Sequence, residues 1–148
     1  MKKRLLLSLF SLVLSGIVLG QSIFENPITG TNPNTANPYT TGQTFDVNIT
    51  VSGIGRGTGI SGSNATNRYN ATGWNSAAID LNDYFYFTLT PNAGYKISFS
   101  SLDYNAQVSL TGPTQFSVRS SRDAYASDIN LPSITNDAAA HAGTVDLS

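Results

Sequence analysis

The chain contains no cysteine. Disulfide frameworks, cysteine-based zinc sites, thiol catalysis and lipid anchoring through an N-terminal cysteine are therefore excluded. Charge is scarce too: 11% of the 148 residues are charged, against roughly 25% in ordinary soluble domains. With one Glu, one Met and three Lys, the strong helix formers are nearly missing. That excludes a helical bundle and disfavours an α/β enzyme with several amphipathic helices. A single His rules out a His-rich metal site. With no Cys and no G-x-S-x-G, no nucleophilic triad is recognisable. What fills the space is Ser, Thr, Asn and Gly, together 61 residues, the composition of a turn-rich β chain.

Lys2, Lys3 and Arg4 precede an apolar run from Leu5 to Leu19, broken only by Ser8, Ser11, Ser15 and Gly16. A basic start, a short apolar stretch and acceptable residues before a cut between Gly20 and Gln21 describe a secretory signal peptide over 1–20. The run is shorter than the roughly 18–20 residues that cross a bilayer, and no positive flank follows it. Its removal leaves five basic against nine acidic residues, a net charge of −4. Such a surface offers no footprint for nucleic acid, nor any attraction to anionic membranes. The mature chain is expected to be secreted or held at the cell surface without spanning a membrane. A cysteine-free exported domain fits a bacterial source, and the Asn48, Asn64 and Asn70 sequons are then coincidental.

Residues 21–42 hold Asn26-Pro27, Asn32-Pro33 and Asn37-Pro38. Proline lacks an amide donor and pushes its predecessor out of the helical region, so an extended leader with turns is expected. Phe24 and Tyr39 are able to lay it along a sheet edge. Residues 43–52 alternate, with Phe45, Val47, Ile49 and Val51 on one face, which predicts a half-buried strand. Residues 53–76 are read as a long ordered loop with a short strand around 68–71. Alternation returns over 83–91 (Phe85, Phe87, Leu89). Pro91-Asn92-Ala93-Gly94 then suits a turn closed by a left-handed glycine, and Tyr95, Ile97 and Phe99 predict a return strand. The phase shifts to Leu102, Tyr104 and Ala106, implying a bulge near Ser100-Ser101. A last strand is expected over 115–120. Short strands without helices predict an all-β fold, an antiparallel, jelly-roll-like β-sandwich over 43–148. Its core is expected to include Phe45, Val47, Ile49, Phe85, Phe87, Leu89, Ile97, Phe99, Phe116 and Val118.

The search for chemistry is less productive. Gly57-Thr58-Gly59-Ile60-Ser61-Gly62 matches G-x-G-x-x-G, but that motif delivers a pyrophosphate to a helix N-terminus. No helical pattern follows, so the glycines are read as turn formers and no cofactor is expected. His141 sits among alanines and is read as an exposed loop residue. Glu25 falls in the leader, and no local pair of Asp residues has the arrangement a glycosidase needs. Asp80, Asn82 and Asp83 concentrate oxygen atoms of the kind calcium takes. The same residues form turns by binding nearby amides, which is the preferred reading. Tyr84 and Tyr86 share the outer face of a strand, with Trp74 and Tyr69 in the preceding loop. Such rings either stack on the apolar face of a sugar or serve as core beneath a second layer.

At Gly55–Gly59, Asn67–Trp74, Asp80–Phe85 and Gly112–Asp123 the chain resembles the N-terminal β-sandwich module of secreted Bacteroidota proteins, which often end in a type IX secretion sorting tail. The resemblance covers about 43–148 and rests on turn- and strand-forming motifs. It implies an extracellular accessory module, often placed ahead of a nuclease or another domain, and it carries over no catalytic residue. Residues 1–148 depart from that pattern in showing no sorting tail or second domain among them. The expected function is therefore that of a non-catalytic exported module for adhesion, display or weak glycan binding, its partner a glycan or another surface protein. The alternative is the accessory front of a secreted hydrolase. With four clear strands, where a jelly roll closes with about eight, and a strand opening at Thr144–Ser148, the sandwich is expected to be incomplete and prone to pair through a free edge.

Overall fold

The computed structural model describes residues 21–75, 77–132 and 134–148; the expected signal over 1–20, including Gly20, lies outside them. The fold is all-β and antiparallel. Its strands are β1 (Phe24–Glu25), β2 (Thr44–Phe45), β3 (Ile49–Val51), β4 (Gly55–Arg56), β5 (Ser61–Gly62), β6 (Ala71–Thr72), β7 (Phe85–Tyr86), β8 (Leu89–Pro91), β9 (Ser101–Gln107) and β10 (Ala140–Asp146). They pair as β1–β2, β3–β8, β4–β7, β5–β6 and β9–β10, each a two-stranded ladder, none closing on itself. Among the described residues the helical content is one 3-10 turn at Ser121–Asp123, and no helix is long and apolar enough to cross a membrane.

The strand expected over 43–52 is broken in two. The Asp46 carboxylate accepts the Asn48 amide at 2.8 Å, and the Ile49 amide donates to the Asp46 carbonyl at 3.2 Å. This side-chain turn outcompetes a continuous ladder. It sends β2 to β1 and β3 to β8, and it leaves Phe45 and Val47 exposed at 47% and 86%. The expected strand over 83–91 likewise divides into β7 and β8. At the break, Ser52 Oγ takes the place of a backbone acceptor for the Thr88 amide at 2.8 Å. Further amide bonds from Gly57 to the Tyr84 carbonyl (2.7 Å), Gly59 to Asn82 (2.9 Å) and Asn92 to Asn48 (2.8 Å) extend both ladders. Residues 48–59 thus run as one interrupted ribbon against 82–92.

The turn after β8 forms as expected, with Gly94 at φ +87° and the Tyr95 amide on the Asn92 carbonyl at 3.0 Å. Its return strand over Tyr95, Ile97 and Phe99 does not form: β8 pairs with β3, and residues 95–100 carry no ladder. The phase of Leu102, Tyr104 and Ala106 is real, for these are the half-buried residues of β9, but their partner is β10. The segment expected to open a strand at Thr144 belongs to β10, which starts earlier, at Ala140, and pairs with β9 over its whole length. Residues 115–120 contribute only an isolated bridge from Val118 to Asn130.

The core differs from expectation accordingly. Of the ten expected members, Ile49 alone is buried; Phe85, Phe87, Phe99 and Phe116 are exposed, and Leu89, Ile97 and Val118 half-buried. A two-stranded ladder hides a side chain only where another segment lies across it. The buried apolar set is Tyr39, Ile49, Ile60, Tyr69, Val108 and Val145. Val145, opposite Leu102, is fully buried. Val145→Ala should cost about 2 kcal/mol in transfer and cavity terms, read as a lower urea midpoint at unchanged m-value.

The leader is fastened by Arg56. Its side chain is 6% exposed and has no carboxylate partner. Nε and Nη2 donate to the Asn70 carbonyl at 3.0 and 2.8 Å, Nη1 to Ala36 at 3.0 Å and Nη2 to Pro33 at 3.3 Å. The guanidinium carbon lies 3.6 Å from the centre of the Tyr69 ring, a cation–π contact. The Asn37 side chain brackets the Arg56 backbone, accepting its amide at 2.8 Å and donating to its carbonyl at 3.2 Å. Burial pulls the Arg56 guanidinium below its ordinary pKa and pushes the Tyr69 phenol above its own. β1 and a bridge from Tyr39 to Ile54 complete the attachment.

Candidate functional site

Gly53, Gly55, Gly57 and Gly59 alternate with Ile54, Arg56, Thr58 and Ile60. In an extended strand, alternate residues share a face. Over Gly55–Gly57 one side of this strand is therefore bare backbone, and the other carries buried Arg56. The facing strand has the same period: Asn82, Tyr84 and Tyr86 lie on the glycine side and Phe85 on the other. Gly55 is the direct partner of Tyr86, and a Cβ there would run into the Tyr86 ring. A Cβ on Gly57 would come within 2.5 Å of Tyr84 Cε1. The glycines read from sequence as turn formers instead make a trough in which two aromatic rings rest. The same device recurs where Gly143 faces Tyr104 across β9–β10.

The Tyr84 and Tyr86 centroids are 6.0 Å apart, with planes inclined by 56°. The two residues stay 43% and 36% exposed. Rings packed against backbone and partly exposed present apolar surface with a phenolic rim, a combination suited to an amphipathic ligand. Trp74 does not join them. Its ring packs edge-on against Phe85 at 5.1 Å, and its Nε1 donates to the Ala71 carbonyl at 3.2 Å. Tyr69 is also on the Phe85 side, 5.5 Å from that ring. Compared with known protein families, curated proteins and solved structures, the chain matches none.

Asp80, Asn82 and Asp83 build the turn that delivers Tyr84. Asp80 Oδ1 accepts the Asn82 amide at 2.9 Å and Asn82 Nδ2 at 3.0 Å. The Asp83 amide donates to the Asp80 carbonyl at 3.1 Å, and Asp83 Oδ2 accepts the Asn75 amide at 2.7 Å. These are the bonds of turn formers. Among the described residues, no group of three or more His, Cys, Asp or Glu is placed to hold a metal.

His141, expected in a loop, lies in β10 with Nε2 at 2.8 and 3.0 Å from the Asp137 carboxylate oxygens. The His141 contact, with the Ala139 amide, holds the Asp137 carboxyl below the usual range. Ser117 and Arg119 do the same to Asp128. The Arg119–Asp128 pair (2.7 Å) pins the loop around Ser121–Asp123. Two open grooves, of about 210 and 240 Å3, lie near Thr44 and Phe45 and between Asp46 and Lys96; neither is lined by Tyr84 or Tyr86.

The two tyrosines stand out in the sequence by their spacing, whereas the trough beneath them does not. Its signal in the sequence is glycine at every second position over 53–59, a period that a loop does not require.

Proposed function

We propose that this chain is an exported, non-catalytic module of jelly-roll-like sandwich type that recognises a glycan through Tyr84 and Tyr86. The observation that carries the reading is the pair of rings packed against Gly55 and Gly57, each tyrosine still 36% or more exposed. A ring face stacks on the C–H side of a pyranose, and the phenolic and Asn82 groups nearby supply polar contacts. Export is supported by the charged start, apolar run and Gly20–Gln21 junction. The resemblance to surface modules of Bacteroidota supports a cell-surface setting.

A glycan array probed with the purified protein tests this. Binding should appear on a subset of glycans and weaken about tenfold in Tyr86→Leu, the size of one lost stacking contact, while the unfolding midpoint moves little. Leucine keeps apolar cover over Gly55 and removes the flat face. A folded protein that binds no glycan, or that hydrolyses a polysaccharide or nucleic acid by itself, sinks the reading.

A further inference from the structure

The inclination of the two rings narrows the ligand class; this step rests on the reading of Tyr84 and Tyr86 as a sugar-binding pair. A centroid separation of 6.0 Å is about the length of one pyranose unit, so neighbouring sugars of one chain are able to meet neighbouring rings. The 56° between ring planes then constrains the chain. In a flat ribbon polymer, successive pyranose faces are parallel, and a sugar seated on one ring leaves its neighbour tilted away from the other. In a helical polymer successive faces are inclined, as the planes of the two rings are. Each ring also sits against the backbone of its own glycine, which limits its movement on that side.

Charge adds a second constraint. Asp80 and Asp83 hold the turn at the Tyr84 end of the pair. Arg56 is on the opposite side of its strand, spent on carbonyls. Arg68 bonds Gln107 and Arg119 bonds Asp128. An anionic glycan would meet charge of its own sign here, whereas a neutral one meets rings and hydroxyls.

We propose that the Tyr84–Tyr86 pair selects a neutral, helical polysaccharide chain over flat-ribbon and anionic polymers. Calorimetry on the purified protein tests it with three probes: maltoheptaose for the helical class, cellohexaose for the flat class and oligogalacturonate for the anionic class. Maltoheptaose should bind about tenfold more tightly than cellohexaose, one ring's worth of stacking, and oligogalacturonate should not bind. Tyr84→Leu and Tyr86→Leu should each bring maltoheptaose down to the cellohexaose level. Should either variant fail to fold, tyrosine difference absorbance of the unaltered protein reads the same choice, responding to maltoheptaose and not to cellohexaose. Equal or tighter binding of cellohexaose or oligogalacturonate overturns this inference and leaves the sugar-binding reading standing. Binding of an array glycan that is neither helical nor neutral does the same. No binding to any glycan overturns both.

Discussion

Arg56→Leu is expected to abolish cooperative folding at ambient temperature or to lower stability by about 4 kcal/mol. The guanidinium is the shared donor for the carbonyls of Pro33, Ala36 and Asn70, three points on segments with no ladder between them. A leucine fills part of the volume and leaves those carbonyls without a donor, at about 1–3 kcal/mol for each group that stays buried. The cation–π contact with Tyr69 is lost as well. Arg56→Lys should be intermediate, since an ammonium keeps the charge and reaches fewer acceptors than a planar fork. Urea unfolding followed by tyrosine and tryptophan fluorescence measures both. A leucine variant within about 1 kcal/mol of the parent would mean that water replaces the guanidinium at no cost, contrary to the penalty for unpaired buried groups.

Gly53→Ala is expected to be nearly as damaging, at about 3 kcal/mol, by a different route. Gly53 has φ +83°, and a Cβ there would lie 2.5 Å from the Tyr39 carbonyl oxygen and 2.7 Å from Thr40 Cγ2. Left-handed backbone costs a non-glycine residue about 1–2 kcal/mol. The remainder is the shift forced on the bridge in which the Tyr39 and Ile54 amides donate to each other's carbonyls at 2.8 and 3.1 Å. Gly94→Ala is the control. Its φ of +87° is similar, but nothing lies within 4 Å of its missing Cβ, so about 1 kcal/mol is expected. Equal losses at the two glycines would show that backbone strain, rather than contact with the leader, sets the cost.

The all-β class was legible because short polar residues and β-branched alternation leave a helix little to work with. Individual ladders were not, and the reasons are local. Asp46 reads as an ordinary outward residue of a strand, yet its carboxylate captures the Asn48 amide and ends the pairing there. Ala140 to Gly143 carry no β propensity, and they pair because β9 offers them a template. Phe85 and Phe87 have the right period for a core, but period does not say which faces are covered. That depends on where the leader settles, and the leader settles on a buried arginine that composition would place at the surface. At the candidate site, Tyr84 and Tyr86 were found by their spacing. Trp74 was grouped with them by nearness in sequence, and the structure parts them across the β7 strand.

The way Arg56 grips the leader also sets an order of events during synthesis. Residues 33–36 leave the ribosome well before Arg56, and Asn70, which completes the clamp, comes later still. At about 5–20 residues per second residues 33–36 wait a few seconds for Asn70, although β2 follows soon enough to pair with β1 earlier. The leader's three Asn-Pro steps suit that interval, because proline keeps the waiting segment out of helix and denies part of the ladder to a strand from another chain. Residues 33–36 are thus made early and clamped only after Asn70 has followed.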